Sequence, residues 1–242
     1  MGKRLFLLSN GSELVGEHAN EEMVGALRDF LGEGVGRLLL IPYASVIRTY
    51  DESAALARSR LAPLGYEIES VHESHDPRAA VALAEAIVIH GGNTFRLLSE
   101  LHANNLVGAI RARVEAGTPY VGWSAGANVA CPTIRTTNDM PVVEPQSFAA
   151  LSLVPFQINP HYTDRALDGH HGETRDERIA EFVHLNPGVY VVGLREGTTL
   201  RVEDSGVRLV GDKPARVFLH GRTPHELGPA DSFDFLLGGD AA

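Results

Sequence analysis

Apolar runs that are typical of strands alternate with segments of helical periodicity over the first half of the chain. The strand-like runs cover residues 4–9, 37–42, 66–71, 86–90 and 119–123. Helices are predicted between them, over residues 21–31, 51–64 (with Asp51 as a candidate N-cap) and 77–85, then from residue 94 and up to residue 115. This alternation predicts an α/β fold, with a mostly parallel sheet that carries helices on both faces.

The second half of the chain is less regular. Its predicted elements are a loop over residues 131–145, a strand over 151–159, a helix over 173–185 and a strand over 189–194. A small antiparallel meander is predicted near the C-terminus, with strands over residues 199–202, 206–210 and 215–219. Because no repeat or linker divides the chain, a single domain over residues 1–242 is the simpler interpretation.

The charge of the chain argues against nucleic acid or an anionic membrane as a partner. Of its 242 residues, 31 are acidic and 21 are basic, which gives a formal net charge of −10. No apolar stretch approaches the length of a membrane span, and the first apolar run ends at Ser9, too soon for a signal-peptide core. Cys131 is the only cysteine, so an internal disulfide is excluded and a reducing, cytoplasmic compartment is expected.

The segment VGWSAGAN, residues 121–128, carries the most specific motif. It places Ser124 between Gly122 and Gly126, directly after a predicted strand. This is the G-x-S-x-G pattern of a nucleophile elbow, a tight strand-to-helix turn in which a side chain at either glycine would clash. The backbone N–H of Ala125 would then lie at a helix start, where it can hold an oxyanion. The motif predicts a serine hydrolase, and the alternative is a glycine-rich turn with an inert serine.

Three further candidates follow predicted strands, at the edge where open α/β sheets gather ligands. His161 is the candidate base for Ser124, because a serine hydroxyl needs a group that takes its proton. Glu196 is the candidate acid that fixes the tautomer of that imidazole. The backbone N–H of Gly92 is expected to complete an oxyanion hole with that of Ala125.

Each of these residues also has a structural interpretation. His161 follows Asn-Pro and could be a hydrogen-bonded loop residue. Glu196 could be a surface carboxylate paired with Arg195. Gly91 and Gly92 could form a plain turn, because neither of the glycine-rich phosphate-binding spacings is present.

Two other groups of reactive side chains are weaker candidates. His170 and His171 with Glu173 suggest a metal, but their spacing matches no zinc signature, so no metal site is expected. Cys131 lacks an elbow and an evident partner, so it is interpreted as a small buried apolar residue.

Several long segments resemble one known family. They are GWSAGANVACPTIRTTNDMP (residues 122–141), QINPHYTD (157–164) and HGETRDERI (171–179), together with LFLLSNGS, LAPLGYEI and HGGNTFRLL in the first hundred residues. On these segments the chain resembles the peptidase E family of bacterial α-aspartyl dipeptidases. The resemblance extends over nearly the whole chain and weakens towards its C-terminus.

The resemblance implies a fold, a mechanism and a substrate class. The fold would be similar to that of class I glutamine amidotransferases, and Ser124, His161 and Glu196 fall on the family's catalytic triad. The family hydrolyses dipeptides with an N-terminal aspartate, without metal or cofactor, through an acyl-enzyme on the serine. Arg195 departs from the proline of close relatives and could compete for the carboxylate of Glu196, which leaves Asp139 as a reserve partner for the histidine.

The substrate's charges suggest further binding residues. A buried aspartyl side chain needs a fixed cation, and the guanidinium of arginine matches a carboxylate. Arg175, which lies in the family's HGETR motif, is the first candidate and Arg135 the second. The alternative for Arg175 is an ion pair with a carboxylate of its own helix. Asp139 or Glu144 would accept from the substrate amine, and Asn93 would orient the substrate backbone.

The sequence therefore predicts a serine exopeptidase that cleaves Asp-X dipeptides. One alternative is a cyanophycinase-like hydrolase of β-aspartyl-arginine units, and another is a binding protein that keeps the elbow without an aligned triad. A glutamine amidotransferase is less favoured, because that reaction normally uses cysteine at the elbow. The expected partner is a small peptide substrate, and the resemblance leaves a homodimer open.

Overall fold

The structure is a computed structural model that describes residues 2–14, 19–164, 172–204 and 206–238. Its strands in chain order are β1 (Arg4–Leu8), β2 (Arg37–Ile41), β3 (Glu67–Ser70), β4 (Ala86–Ile89), β5 (Tyr120–Trp123), β6 (Gln157–Pro160), β7 (Val191–Leu194), β8 (Thr199–Glu203), β9 (Gly206–Val210), β10 (Ala215–Phe218) and β11 (His225–Leu227). Its α-helices are α1 (Glu21–Leu31), α2 (Tyr50–Leu61), α3 (Pro77–Leu83), α4 (Thr94–Ala103), α5 (Leu106–Glu115), α6 (Ala125–Val129) and α7 (Arg175–Leu185).

The larger sheet has seven strands in the order β3-β2-β4-β5-β1-β8-β9. The first five strands are parallel, and β8 and β9 extend the sheet as an antiparallel hairpin beside β1. The central strand β5 therefore has a parallel neighbour on each side, β4 and β1. The carboxyl ends of these three strands meet at one edge of the sheet.

Both faces of the larger sheet are covered, as the apolar pattern predicts. Successive residues of β1 point to opposite faces, so Leu5 and Leu7 join one core while Phe6 and Leu8 join another. The core around Phe6 includes the apolar faces of α1 and α2. The core around Leu5 includes buried residues of α4, α5, α6 and the second sheet. The prediction of a mostly parallel α/β fold with helices on both faces is confirmed.

The second sheet has four strands in the order β11-β10-β7-β6. Strands β6 and β7 are parallel, and β7, β10 and β11 are antiparallel. Helix α7 covers the outer face of this sheet through Ile179 and Val183, which pack with Val191 and Phe218. This sheet thus forms its own small layer with α7, while its inner face joins the core of the larger sheet.

The three short C-terminal strands are divided between the two sheets. Strands β8 and β9 belong to the larger sheet, whereas β10 pairs with β7 and β11. The turn-forming residues Gly-Asp-Lys-Pro at 211–214 separate β9 from β10, and Val217 of β10 pairs with Val192 of β7. The antiparallel pairing is therefore as predicted, but the three strands do not form one meander, because β10 pairs with β7 and not with β9.

Two local predictions need correction. Helix α2 begins after Thr49 rather than with Asp51 as its cap, because Thr49 and Glu52 form a reciprocal capping box. The strand predicted over residues 151–159 is confined to Gln157–Pro160. The backbone N–H groups of Leu151 and Leu153 donate to carbonyl groups at the end of α6 and just beyond it, respectively. They therefore do not pair with a neighbouring strand. None of the helices in the described part of the chain is long and apolar enough to cross a bilayer.

Candidate active site

Ser124 occupies a sharp turn between β5 and α6. Its φ is 54° and its ψ is −113°, a conformation that is sparsely populated by residues other than glycine. A β-carbon added to Gly122 would lie 2.5 Å from the carbonyl oxygen of Gly126, and one added to Gly126 would lie 2.1 Å from that of Ile89. Both positions therefore need glycine, and the predicted strand-to-helix elbow is present.

The hydroxyl of Ser124 begins a chain of two side-chain hydrogen bonds. Its Oγ lies 2.9 Å from Nε2 of His161, and Nδ1 of the same ring lies 2.7 Å from Oε1 of Glu196. Asp139, the reserve partner, instead accepts from the backbone N–H and the hydroxyl of Thr94 at 2.7 and 2.6 Å. We call the Ser124–His161–Glu196 arrangement the hydrogen-bonded triad.

The triad joins two sheets, which the sequence pattern does not indicate. Ser124 follows β5 of the larger sheet, whereas His161 and Glu196 follow the parallel strands β6 and β7 of the smaller sheet. The candidate residues do lie at strand ends, as expected. However, their convergence depends on how the two sheets pack together and not on the edge of one sheet.

The end of β1 connects all three members of the triad. The carbonyl of Leu8 accepts from the backbone N–H of Ser124 at 3.1 Å. The buried hydroxyl of Ser9 accepts from the backbone N–H of His161 at 2.9 Å and donates to the carbonyl of Leu194, at the end of β7, at 2.8 Å. The side chain of Asn10 lies near Glu196 and helps to lower the pKa of its carboxyl. We call Leu8, Ser9 and Asn10 the β1 hub.

Sequence reasoning missed the β1 hub. The only signal was the position of two small polar residues, Ser9 and Asn10, directly after the first strand. That position places them at the same edge as Ser124 once β1 and β5 are known to be neighbours. The strand order is the missing information, because periodicity predicts strands without predicting which strands pair.

The electrostatic surroundings of Glu196 favour its ionised form. The hydrogen bond from His161 lowers the pKa of Glu196, partial burial opposes this change, and the side chain of Asn10 adds to the lowering. The carboxylate is therefore charged at neutral pH and can stabilise an imidazolium at His161. Its side chain remains 56% exposed, so solvent has access to the acid end of the triad.

Arg195 does not compete with His161 for Glu196. Its guanidinium pairs with Glu226 at 2.6 Å and with Asp164 at 3.1 Å, and it lies 5.1 Å from the ring centroid of Tyr162. These contacts hold Arg195 in the second sheet. The arginine at this position therefore leaves the carboxylate of Glu196 free to contact the imidazole of His161.

Gly91 and Gly92 follow β4 and lie next to the elbow. A β-carbon added to Gly91 would lie 3.0 Å from the β-carbon of Ser124 and 3.4 Å from its Oγ. Gly92, with φ of +149°, packs against the backbone of Ala44. Within the described residues, the backbone N–H groups of Gly92 and Ala125 donate to no protein acceptor. Two amide groups beside Ser124 can therefore donate hydrogen bonds to a ligand oxygen.

Arg175 is the first residue of α7 and is half-buried. Its guanidinium donates to Oδ1 of Asn138, whose Nδ2 donates to the carbonyl of Pro160, the residue before the triad histidine. The nearby carboxylates of Glu173, just before the helix, and Asp176, within it, pair instead with Arg178 and Arg216. Burial and the charge of Arg178 lower the pKa of Arg175. Arg175 is thus a partly buried cation without a carboxylate partner among the described residues.

The other predicted substrate-binding residues are engaged or exposed. Asn93 caps α4, accepting from the backbone N–H of Arg96 at 3.0 Å and donating to the carbonyl of Met140 at 2.8 Å. Arg135 is exposed, with its guanidinium 5.9 Å from the ring centroid of Phe148, and Glu144 is exposed. The structure therefore brings Arg175 into contact with the surroundings of the triad and leaves Arg135 and Glu144 at the surface.

Cys131, one of the weaker chemical candidates, is not placed to react. Cys131 is fully buried, its sulfur accepts from the backbone N–H of Ile158, and burial raises the pKa of its thiol to about 12. The pair His170 and His171 lies outside the described residues. An acid and histidine cluster of Asp51, His72 and Glu73 is present. However, both ring nitrogens of this histidine are hydrogen-bonded to side chains, which leaves neither for a metal.

An elbow serine hydrogen-bonded to a histidine that is itself held by a carboxylate, on an α/β fold, defines the class of serine-type hydrolases. A sequence model of peptidase family S51 matches residues 5–210. The chain is also 48% identical over 240 residues to peptidase E of Nostoc sp., covering 98% of each chain, and 46% identical to peptidase E of Streptomyces coelicolor, covering 96% of this chain and 94% of that one. The chain belongs to peptidase family S51 and is a serine-type peptidase.

Solved structures share the fold at lower sequence identity. A putative peptidase E from Listeria monocytogenes matches with a TM-score of 0.63 and 24% identity, over 87% of this chain and 99% of that one. A peptidase from an acI-B1 actinobacterium matches with a TM-score of 0.70 and 18% identity, over 96% of this chain and 97% of that one. At these identities the two structures support the architecture alone.

Proposed function

We propose that this peptidase hydrolyses dipeptides with an N-terminal aspartate, through an acyl-enzyme on Ser124. The observation that carries the proposal is the hydrogen-bonded triad together with the nearby cation of Arg175, which has no carboxylate partner among the described residues. The relatives named peptidase E support the same class of reaction. In this proposal Ser124 is the nucleophile, His161 the base and Glu196 the acid that orients it.

Acylation follows from the geometry of the triad. Nε2 of His161 takes the proton of Ser124 Oγ as that oxygen attacks the carbonyl carbon of the substrate. The carbonyl oxygen becomes negatively charged and is held by the N–H groups of Gly92 and Ala125. When the C–N bond breaks, the leaving amine takes the proton from His161, and the aspartyl group remains on Ser124 as an ester.

Deacylation repeats the same steps with water. His161 removes a proton from the water as its oxygen attacks the ester carbon, and Ser124 Oγ leaves with that proton. Aspartate is released, and the serine and the neutral imidazole are regenerated. The charged Glu196 stabilises the imidazolium in both half-reactions without becoming protonated itself.

Arg175 would select the aspartyl side chain. It is partly buried and, within the part of the chain that the structure describes, has no carboxylate partner, so a substrate carboxylate can neutralise its charge. Arginine also offers two parallel N–H donors that match a carboxylate. Through Asn138 it is tied to Pro160, so its position is linked to that of the adjacent base.

The central experiment compares Arg175→Gln with Arg178→Gln on Asp-Leu, Asn-Leu and β-linked Asp-Leu. We expect Arg175→Gln to lower kcat/KM for Asp-Leu on the order of a hundredfold, because an ion pair to the substrate is lost. The control Arg178→Gln, on the same helix and paired with Glu173, should change it less than about twofold. Unfolding temperatures of both variants are measured alongside.

Three outcomes would contradict the proposal. Equal cleavage of Asp-Leu by Arg175→Gln and wild type would remove Arg175 from substrate recognition. Faster turnover of the β-linked dipeptide would favour the cyanophycinase-like alternative. Labelling of Ser124→Ala by a fluorophosphonate probe to the wild-type level would show that another residue is the nucleophile. If Ser124 is the nucleophile, its removal should lower turnover on the order of a millionfold.

A further inference from the structure

A cavity of about 570 Å³ opens beside the nucleophile, on the side of the larger sheet that carries α2. One end of it is formed by His90, Gly91, Gly92 and Trp123, at the carboxyl ends of β4 and β5. From there it extends along α2. Its volume lies in the range of small-molecule binding sites in proteins.

The cavity approaches Ser124 through Gly91, from a side that differs from that of Arg175. Gly91 forms part of its wall and lies next to the side chain of Ser124. Neither Arg175 nor Asn138 lines it; Asn138 contacts the end of β6 instead, and Arg175 contacts Asn138. A substrate whose aspartyl group lies at Arg175, with its scissile carbonyl at Ser124, therefore has the cavity free for the group on the other side of the bond.

The lining of the cavity suits one end of a short peptide. Its walls include the apolar side chains of Val46, Ile47 and Leu56, and Ile47 is 94% exposed, so it has room to pack against a ligand. Arg48 also lines the cavity and has no carboxylate partner among the described residues. The charge of Arg48 contributes to lowering the pKa of His90, which agrees with a guanidinium directed towards the end of β4.

We propose that this cavity binds the second residue of the dipeptide, with its apolar side chain against Val46, Ile47 and Leu56 and its α-carboxylate on Arg48. The proposal rests on the proposed function, because it places the leaving group of that reaction. A terminal carboxylate is required one residue after the scissile bond, so longer peptides and amides lack the group that Arg48 binds. The cavity would thereby limit cleavage to dipeptides and favour apolar second residues.

The test compares Asp-Leu with its C-terminal amide, Asp-Leu-NH2, in wild type, Arg48→Gln and Arg28→Gln. Arg28 is an exposed arginine in the last turn of α1, at the opposite edge of the sheet from the site. We expect wild type to cleave the free acid about tenfold better than the amide, and Arg48→Gln to remove this preference by lowering kcat/KM for the acid alone. Arg28→Gln should behave as wild type.

A second variant tests the apolar wall independently. Ile47→Ser alters an exposed side chain, so the fold should persist, and we expect it to lower kcat/KM for Asp-Leu about threefold more than for Asp-Gly. Equal effects of Arg48→Gln on acid and amide, or no effect on either, would overturn the role of Arg48. Equal losses for Asp-Leu and Asp-Gly in Ile47→Ser would overturn the apolar subsite.

The two proposals fail in different ways. If wild type cleaves no Asp-X dipeptide, the proposed function fails and the subsite falls with it. If wild type cleaves Asp-Leu and Asp-Leu-NH2 equally well and Arg48→Gln changes neither, the proposed function stands and only the subsite is rejected.

Discussion

The two halves of the active site are held by different kinds of interaction. Around Ser124, backbone packs on backbone, and the turn exists because two glycines allow contacts that no side chain would permit. Around His161 and Glu196, the positions depend on side chains, above all the hydroxyl of Ser9 and the carboxamide of Asn10. The first half is one short motif packed against the backbone of β1 and β4, whereas the second is assembled from β1, β6 and β7.

This difference implies different responses to substitution. A substitution in the backbone-packed half should lower the stability of the fold, because there is no space into which the surrounding backbone can shift. A change in the half held by side chains should act on turnover, because the chain can fold while the base and acid shift. The following four experiments test this contrast, from the largest expected effect to the smallest.

Glu196→Gln tests the acid of the triad. We expect kcat to fall on the order of a thousandfold or more, because a neutral amide can hold the wrong tautomer of His161 and cannot stabilise an imidazolium. The unfolding temperature should hardly change, since the carboxylate is more than half exposed. The measurement is steady-state kinetics on Asp-Leu, with Asp139→Asn as the matched comparison.

Asp139→Asn should lower kcat much less than Glu196→Gln, because Asp139 accepts from Thr94 and not from the imidazole. A larger loss in Asp139→Asn than in Glu196→Gln would mean that the histidine changes partner during the reaction. The triad as described here would then be wrong.

Gly126→Ala tests the backbone-packed half. The added β-carbon would lie 2.1 Å from the carbonyl oxygen of Ile89, so we expect a loss of stability on the order of 3 kcal/mol, or a failure to accumulate soluble protein. Gly25→Ala is the control, since Gly25 lies within α1 with no atom within 4 Å of an added β-carbon.

Thermal unfolding measures both glycine variants, and Gly25→Ala should gain about 0.5–1 kcal/mol from its higher helix propensity. If Gly126→Ala unfolds at the wild-type temperature, the close contact between the elbow and β4 is not the reason for glycine at this position.

Ser9→Ala tests the β1 hub. The N–H of His161 and the carbonyl of Leu194 would each lose a buried partner, which costs about 1–3 kcal/mol. We expect kcat to fall about tenfold with KM nearly unchanged, because the base shifts while the substrate-binding groups stay. Kinetics are measured well below the unfolding temperature, with the exposed Ser59→Ala as control.

A different pattern would reject the hub as a positioning element. If Ser9→Ala lowers the unfolding temperature but leaves kcat as in Ser59→Ala, then Ser9 stabilises the junction of the sheets without fixing the base.

Cys131 provides the smallest expected effect. Its thiol is buried and its pKa is raised to about 12, so almost no thiolate exists at pH 8. We expect no alkylation of the native protein by iodoacetamide over an hour at that pH, and full alkylation in urea, as measured by mass spectrometry. Stoichiometric labelling of the native protein would show that the region directly after α6 opens, contrary to the close packing of the adjoining backbone-packed half.

The contrast between the halves also explains what the sequence could predict. The elbow was predictable because its geometry is imposed by Gly122, Ser124 and Gly126 within five residues. The parallel sheet was predictable because its strands are apolar on both faces and alternate with helices. His161 and Glu196 were found by their position after strands and by resemblance, and their contact distances agree with that pairing.

Other features could not be predicted from the apolar pattern of the sequence, because they depend on which strands pair. Nothing local indicates that β10 leaves β9 to join β7, or that Ser9 faces His161 across more than 150 positions of the chain. The sequence suggested Asp51 as the N-cap of α2, and only the reciprocal hydrogen bonds between Thr49 and Glu52 show that the helix begins after Thr49. The cavity beside the nucleophile likewise combines segments that no single motif contains.

The hydroxyl of Ser9 has a consequence for how the enzyme loses activity. This hydroxyl, at the end of a strand of the larger sheet, hydrogen-bonds to His161 at the end of a strand of the smaller sheet. Any process that separates the two sheets therefore disrupts proton transfer before either sheet unfolds. Catalytic activity would then be lost at a lower denaturant concentration than the circular dichroism signal. Turnover would therefore report whether the two sheets remain in contact.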